Sequence, residues 1–444
     1  MQKKLMSFLQ MFNLNVGFLG IQFGWSLQMA NMSGIYKFLG ATEANLGYLW
    51  IAAPLTGMII QPILGQMSDQ TWVKFLGRRR PYILFGALIS SIVLILMPNS
   101  FSLLMAAALL LLLDGSINIA MQPYRSLVAD VAPASQHTKC YAIQTALVGT
   151  GATLAYTLPW IFLHVFHMND TIAPGTIPLT IRLSFYIGAA VFLLANIWTV
   201  FFSKEYPPET SIIEKIIPKK SLSTRMWNAT KGIVRDFVHM PKTMREVSIV
   251  QFFTWMGMFC IFLFLSLGVA QNIFGLPPGA AVENNASYAK LLEQGIVLGG
   301  VCFAIYNFVS IFFALLLPII SKRITRKGAH ILSLSIAAVG LISCNFIHSV
   351  PLLFLAMVAM GLAWASIATI PYAILAGTLP TNKMGLYMGL LNITVCIPQI
   401  IAALVMGGVV SLFFHNRVMP AILIAGIFFI IAAICTLFVH DREA

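Results

Sequence analysis

The chain has 444 residues, of which 59% are hydrophobic and only 9% charged, with a mean hydropathy of +0.87. Soluble domains carry about 25% charged residues, so a water-soluble enzyme is excluded and a polytopic, all-α membrane protein is expected. The net charge of +13, from 27 Lys and Arg against 14 Asp and Glu, raises nucleic acid as a partner only until the positions of the charges are read.

A bilayer span takes about 20 apolar residues. On that length the apolar stretches predict twelve spans, near 9–35, 45–65, 81–98, 101–125, 139–163, 182–202, 247–270, 295–318, 330–347, 351–376, 385–410 and 418–440. The start, MQKKLMSF, is basic, but Asn13, Asn15, Gln22 and Gln28 interrupt the stretch that follows, so it reads as a retained first span rather than a cleaved signal. With both ends cytoplasmic, every Lys and Arg except Lys37, Arg182, Lys290 and Arg417 falls on the cytoplasmic side. That asymmetry orients the chain in a membrane and leaves no role for nucleic acid.

The long polar stretch 203–246, rich in Lys and Arg and broken by Pro207, Pro208 and Pro218, divides the chain into 1–202 and 247–444, each with six spans. The loops between spans 2 and 3 (Lys74, Arg78, Arg79, Arg80) and between spans 8 and 9 (Lys322, Arg323, Arg326, Lys327) are both short and basic. Such internal symmetry is expected of a transporter built from repeats, with its substrate site between the halves near the bilayer midplane. One chain then holds both halves of a path and is expected to work as a monomer. No P-loop occurs, so ATP bound to this chain does not drive transport, and the six cysteines are scattered singly without metal-ligand spacing. No cofactor and no metal are expected.

Charged groups within the hydrocarbon are costly and therefore functional candidates. Thirteen of the fourteen carboxylates lie at span ends, in loops or in the tail, and only Asp114 sits mid-span; all eight histidines are placed at span ends or in loops. A carboxyl desolvated at that depth can take up and release a proton across the membrane, or it stays protonated and hydrogen-bonds a neighbouring helix. Asp114, Asn118, Gln122 and Arg125 follow at helical steps and share one face of span 4. Arg125 either binds substrate hydroxyls or snorkels to pair with Asp130 or Asp69. Asn15, Gln22, Ser26 and Ser33 form a polar stripe on span 1, expected to face the same cavity.

In the second half Trp255, Tyr306, Asn307, Trp364, Tyr372, Asn392 and Gln399 offer rings and neutral hydrogen-bonding groups, a lining that suits a neutral polyol, although any one ring is equally read as packing. The stretch from Gly65 through Asp69 to Gly77, Arg78, Arg79, Arg80 and Pro81 is read as a cytoplasmic gate pairing with helix ends of the opposite half, against plain positive-inside charge.

Together GIQFGWSLQ (20–28), LWIAAPLTGMIIQPILGQMSD (49–69), LGRRRPYILFGAL (76–88), LDGSINIAMQPYRSLVAD (113–130) and ATIPYAILAGTLPTNKMGLYMGLLNITVCIPQ (368–399) resemble the sucrose/proton symporter family and its bacterial and animal relatives, in the glycoside-pentoside-hexuronide branch of the major facilitator superfamily. The resemblance implies the major facilitator fold, two pseudo-symmetric six-helix bundles, with Asp114 as the proton-binding residue and Arg125 needed for coupling and sugar transport. Gln70 departs from the basic residue usual after the loop Asp, and Glu43 stands where plant members carry a His. Span 7, FCIFLFLSLGVAQNIFG (259–275), lacks their acidic pair and is closer to the bacterial relatives, so maltose or another glucoside is as well supported as sucrose.

The expectation is a proton-coupled sugar importer of a bacterial inner membrane working by alternating access. A proton-driven exporter on the same fold and a membrane sugar sensor are the rivals. The pattern expected of an exporter in span 5 is unconvincing in VGTGATLAYTLP (148–159), and a sensor predicts a signalling domain that the residues after 440 do not supply.

Overall fold

In the bilayer core no water is available to peptide groups, so a spanning chain closes its hydrogen bonds within helices or closed barrels. The computed structural model describes residues 5–69, 72–133, 136–168, 176–203, 205, 240–378 and 384–441; within these, the side chains of 62–63, 65–66, 69, 125–126, 128–130, 137–139, 141–142, 376–378 and 384–389 are not described. Among the described residues it is helical, with no strand beyond an isolated bridge between Val73 and Gly77.

Helix α1 (Phe8–Phe38) opens with a capping box, in which Gln10 donates its backbone N–H to Ser7 Oγ at 3.3 Å and Ser7 donates its own to Gln10 Oε1 at 2.9 Å. Short α2 (Glu43–Leu49) and α3 (Ala52–Asp69) make one broken span, followed by α4 (Arg80–Leu96), α5 (Leu103–Val131), α6 (His137–His164) and α7 (Leu179–Phe202). The second half holds α8 (Lys242–Asn272), α9 (Ala286–Ser343), α10 (Val350–Thr378), α11 (Met384–Phe414) and α12 (Met419–Leu437). At 58 residues α9 would run about 87 Å if straight, far beyond a hydrocarbon core of about 30 Å. Its helix breaks at Ile324 (φ −125°, ψ 18°) and Thr325 (φ 63°, ψ 162°), so it supplies two spans. Among the described residues the helices can be arranged as twelve spans, nine helices being long and apolar enough by themselves to cross a membrane, and where a basic loop is expected between spans 8 and 9 the chain turns in two residues.

Within the first half α1 packs on α5, α6 and α7, α3 on α5, and α4 on α5 and α7. In the second, α8 packs on α9, α11 and α12, and α9 on α10 and α12. The two bundles meet where α2 and α3 face α11, α6 faces the first arm of α9, and α1 touches α8 and α9. Small residues set such approaches: between the bundles a Cβ at Gly300 would lie 2.6 Å from the Tyr156 carbonyl oxygen, and within the second half one at Gly361 would lie 2.8 Å from that of Tyr306.

The loop between α3 and α4 is held by a carboxylate from beyond α7. Glu205 accepts the backbone N–H groups of Arg78 (2.7 Å), Arg79 (3.1 Å) and Arg80 (3.0 Å), the free amides at the start of α4, where a negative charge also meets the positive end of the helix dipole. Gly77, at φ 75°, brings the chain into this cradle; a Cβ there would lie 2.8 Å from Glu205 Cδ and in a backbone region unfavourable to L side chains. Gly77→Ala is therefore expected to cost about 1–3 kcal/mol and to lower the thermal midpoint of the detergent-solubilised protein. An unchanged midpoint would show that the loop does not need this conformation.

Candidate functional site

Between the bundles lies a cavity of about 290 Å³, at the small end of the roughly 300–1,000 Å³ of small-molecule pockets. The first half contributes Gln22, Trp25, Met29, Gly57, Gln61, Asn118, Met121 and Tyr156 among others; the second contributes Trp255, Phe259, Phe262, Tyr306, Asn307, Trp364, Tyr372, Asn392, Cys396 and Gln399. No Lys, Arg, Asp, Glu or His is among its described lining residues. Trp255 and Trp364 meet edge to face at 6.1 Å and Trp364 and Tyr306 at 6.0 Å, forming one aromatic wall. Carboxamides from Gln22, Gln61, Asn118, Asn307, Asn392 and Gln399 supply the polar groups. The indole N–H of Trp255 is buried without a partner, a donor left for an occupant.

Asp114 is 3% exposed and lies behind this wall rather than on it. Its Oδ1 accepts from Gln28 Nε2 of α1 at 2.8 Å, while Oδ2 is buried with no hydrogen-bond partner. One turn on, Asn118 Nδ2 donates to the Asp114 backbone carbonyl at 2.8 Å and Asn118 Oδ1 accepts from Gln61 Nε2 at 2.8 Å. Asn392 Nδ2, from the other half, donates to Gln61 Oε1 at 3.2 Å. A line of hydrogen bonds thus runs from the helix of the buried acid to the opposite bundle.

Of the residues expected to share one face of span 4, Asn118 reaches the cavity, Asp114 is turned to α1, and Gln122 is half-buried outside the cavity wall. The side chain of Arg125 lies outside the described residues. The stripe on span 1 does not face one cavity. Only Gln22 lines it; Ser26 is buried and accepts from Gln22 at 3.4 Å, Asn15 donates to the Cys140 carbonyl at 3.2 Å, and Ser33 accepts from Trp50 Nε1 at 2.9 Å. The reason is depth: Asn15 and Ser33 are about 27 Å apart along the axis and meet different neighbours. All seven polar and aromatic residues singled out in the second half line the cavity.

Gln61, Gln28, Trp25 and Tyr156 were not singled out as site residues; the signal for the two carboxamides was present, since each stands alone in an apolar run. His330 stands at a span end, as expected, but is 1% exposed there, with Nδ1 2.6 Å from Ser366 Oγ of α10 and a buried, unpartnered Nε2. It starts the second arm of α9 because the loop expected before it is only a kink.

The end of the bundle away from the termini is sealed. Lys37 of α1 pairs with Glu43 of α2 at 3.1 Å, both under 5% exposed, and donates to the Ala280 carbonyl of the other half at 3.4 Å. Thr180 of α7 donates to Glu293 of α9 at 2.7 Å, and Ser266 of α8 to the Ala30 carbonyl of α1 at 3.1 Å. Gly47 and Gly407 let α2 and α11 touch backbone to backbone at Ala403 and Ala44.

At the end carrying the termini, several arginines bond to groups of their own half. Arg79 donates to Ser68, Arg80 to the Val200 and Ser203 carbonyls, and Arg326 to Asp441. The expected gate residues Gly77, Arg78, Arg79 and Arg80 are thus held on their own half, by Glu205 and the end of α7, while the side chains of Gly65 and Asp69 lie outside the described residues.

Among the described residues, helical spans in two bundles around a central cavity sealed at one end define a membrane transporter. The family profile described as Major Facilitator Superfamily matches residues 14–403 and 247–444, and the chain belongs to that family. It is similar to a sucrose transport protein of Arabidopsis thaliana, 24% identical across 86% of this chain and 81% of that one. It is also similar to a sucrose transport protein of Oryza sativa, 25% identical across 95% and 86%, and to the general alpha-glucoside permease of Schizosaccharomyces pombe, 26% identical across 59% and 48%. Among solved structures, the inward open xylose transporter of E. coli superposes with a TM-score of 0.65 at 15% identity, covering 97% of this chain and 96% of that one. A variant of the nucleoside transporter NupG gives 0.69 at 13% identity, covering 97% and 100%. At those identities the likeness is one of fold.

Removing one partner of a buried ion pair leaves an uncompensated charge, at a cost of about 3–5 kcal/mol. Lys37→Met is therefore expected to weaken the seal and to raise at least severalfold the rate at which an impermeant maleimide labels Ala44→Cys, against a background of native cysteines that are buried or half-buried. Equal labelling rates would mean that the Lys37–Glu43 pair does not hold that end closed.

Proposed function

We propose that the chain is a proton-coupled importer of a neutral sugar, a disaccharide or glucoside such as sucrose or maltose, working by alternating access as a monomer in a bacterial inner membrane. The observation that carries the reading is a cavity whose described wall is built of indoles, phenols and carboxamides without a charged group, one turn away from the buried carboxyl of Asp114. Sugars present hydroxyls that both donate and accept, which carboxamides match, and apolar ring faces, which the aromatic wall matches. An anion or a cation would meet no counter-charge there and would lose its hydration uncompensated. The names of the relatives point the same way.

In this reading Asp114 carries the proton. Gln28 holds one carboxyl oxygen, and the other, buried and unpartnered, is where a proton binds and leaves. Asn118 ties the same turn of α5 to the cavity wall, so sugar occupancy and the state of the acid act on one helix segment. Residues 1–202 and 247–444 move as two bodies joined by 203–246. The Lys and Arg asymmetry supports cytoplasmic termini, which makes the sealed end the outer face and the present arrangement open inward. Arg125 belongs with the coupling residues, and Arg78, Arg79 and Arg80 with Asp69 form the inner gate when that end closes. Wide exposed apolar surfaces such as Leu104, Leu194, Leu315 and Leu412 face lipid.

Proteoliposomes given labelled sucrose, maltose or glucose are expected to accumulate one of them under an inward proton gradient, and Asp114→Asn to lose accumulation about tenfold or more while sugar exchange persists. No uptake of any sugar by the wild type would overturn the reading. Trp255→Phe keeps a ring but deletes the free N–H, worth about 0.5–1.5 kcal/mol; a two- to tenfold rise in KM with little change in kcat is expected in the same assay, and an unchanged KM would show that this N–H does not touch the sugar.

A further inference from the structure

The line of carboxamides behind the cavity has a fixed direction. A backbone carbonyl only accepts, so the Asp114 carbonyl orients Asn118 with Nδ2 toward it. Asn118 then presents Oδ1 to Gln61, which must offer Nε2, and Gln61 is left presenting Oε1 to the Nδ2 of Asn392. No amide in the chain can be turned over without breaking a second bond. The last contact, Gln61 on α3 to Asn392 on α11, is the one that crosses between the bundles, and both residues are half-buried with an edge on the cavity. The other polar pair spanning the cavity wall, Tyr156 with Tyr306, is 3% and 1% exposed and offers an occupant little access.

From this geometry we propose that the Gln61–Asn392 contact is a clasp into which one hydroxyl of the transported sugar inserts, donating to Gln61 Oε1 and accepting from Asn392 Nδ2. The proposal rests on the sugar-transport reading and goes beyond it by assigning Gln61, on the first half, as a specificity-determining residue. A hydroxyl is suited to the position because it donates and accepts at once, so it enters without reversing either amide. A carboxylate has no proton for Gln61 Oε1, and an ammonium has no lone pair for Asn392 Nδ2. Insertion also has a mechanical consequence. The present separation of 3.2 Å becomes two successive hydrogen bonds, roughly 4.5–5 Å from end to end, so the occupant parts α3 from α11. The same event loads Gln61, whose other end is bonded to Asn118 on the helix of Asp114.

The experiment is competition and transport in proteoliposomes with whichever of sucrose or maltose the wild type accumulates, and with the monodeoxy forms of its glucosyl ring. In the wild type one deoxy position is expected to lose about tenfold or more in kcat/KM, because its absence leaves a buried amide pair unfilled. In Gln61→Leu the discrimination at that position falls to within about twofold, while the ranking of the other positions is kept. Asn392→Leu gives the same pattern and stands in if the first variant fails to reach the membrane. Discrimination retained in both variants, or lost equally at every position, overturns the clasp and leaves sugar transport standing. Failure of the wild type to take up any sugar overturns the transport reading, and the clasp with it.

Discussion

Hydrocarbon offers no hydrogen bonds, and the arrangement of this chain follows from that. Within the described spans the peptide groups are committed to helices, so the polar chemistry available there is confined to the few side chains that enter the apolar spans. Each of these must find a partner inside the protein or stay unsatisfied at a cost of several kcal/mol. Asp114 answers with Gln28, Asn118 with a backbone carbonyl and Gln61, Asn15 with the Cys140 carbonyl. Asp114 Oδ2, Gln28 Oε1 and Trp255 Nε1 are among the buried atoms left without partners.

The same rule separates the two tasks of the site. The cavity is lined by neutral donors, acceptors and rings, while the single acid is withdrawn behind it and reaches it only through carboxamides. A carboxylate exposed in the cavity would pair directly with cations and bias it against neutral solutes. Placed one layer back, it leaves the described wall of the cavity neutral. The ends of the bundle divide similarly: hydrogen bonds and backbone-to-backbone contacts cross between halves at the sealed end, whereas near the termini Arg80 and Arg326 bond to groups of their own half.

Much of the fold was legible because hydropathy records the membrane directly. An apolar run of about 20 residues has few uses other than a span, and the spans, the central polar stretch and the repeat of basic loops were readable on that basis. What hydropathy did not resolve was the form of the connections. The break at Trp50 inside the second span and the fusion of spans 8 and 9 through Ile324 and Thr325 depend on local backbone conformation, which the composition of those segments does not encode.

By itself the sequence determined the class of the protein, the count of its spans, the isolation of one acid in the apolar interior, and the aromatic and carboxamide character of the second half's contribution. These follow from residue type and spacing along single helices. Which polar residues share a cavity was decided only by the tertiary structure, because helical periodicity gives the face of a residue but not the depth or identity of the helix that it meets. Gln22 reached the cavity and Ser33, on the same stripe, did not; Asp114 turned to α1, and Gln61, alone in its run, became the link between the bundles. Helix packing brings together side chains far apart in sequence, and it is there that the physical partners of each polar group were chosen.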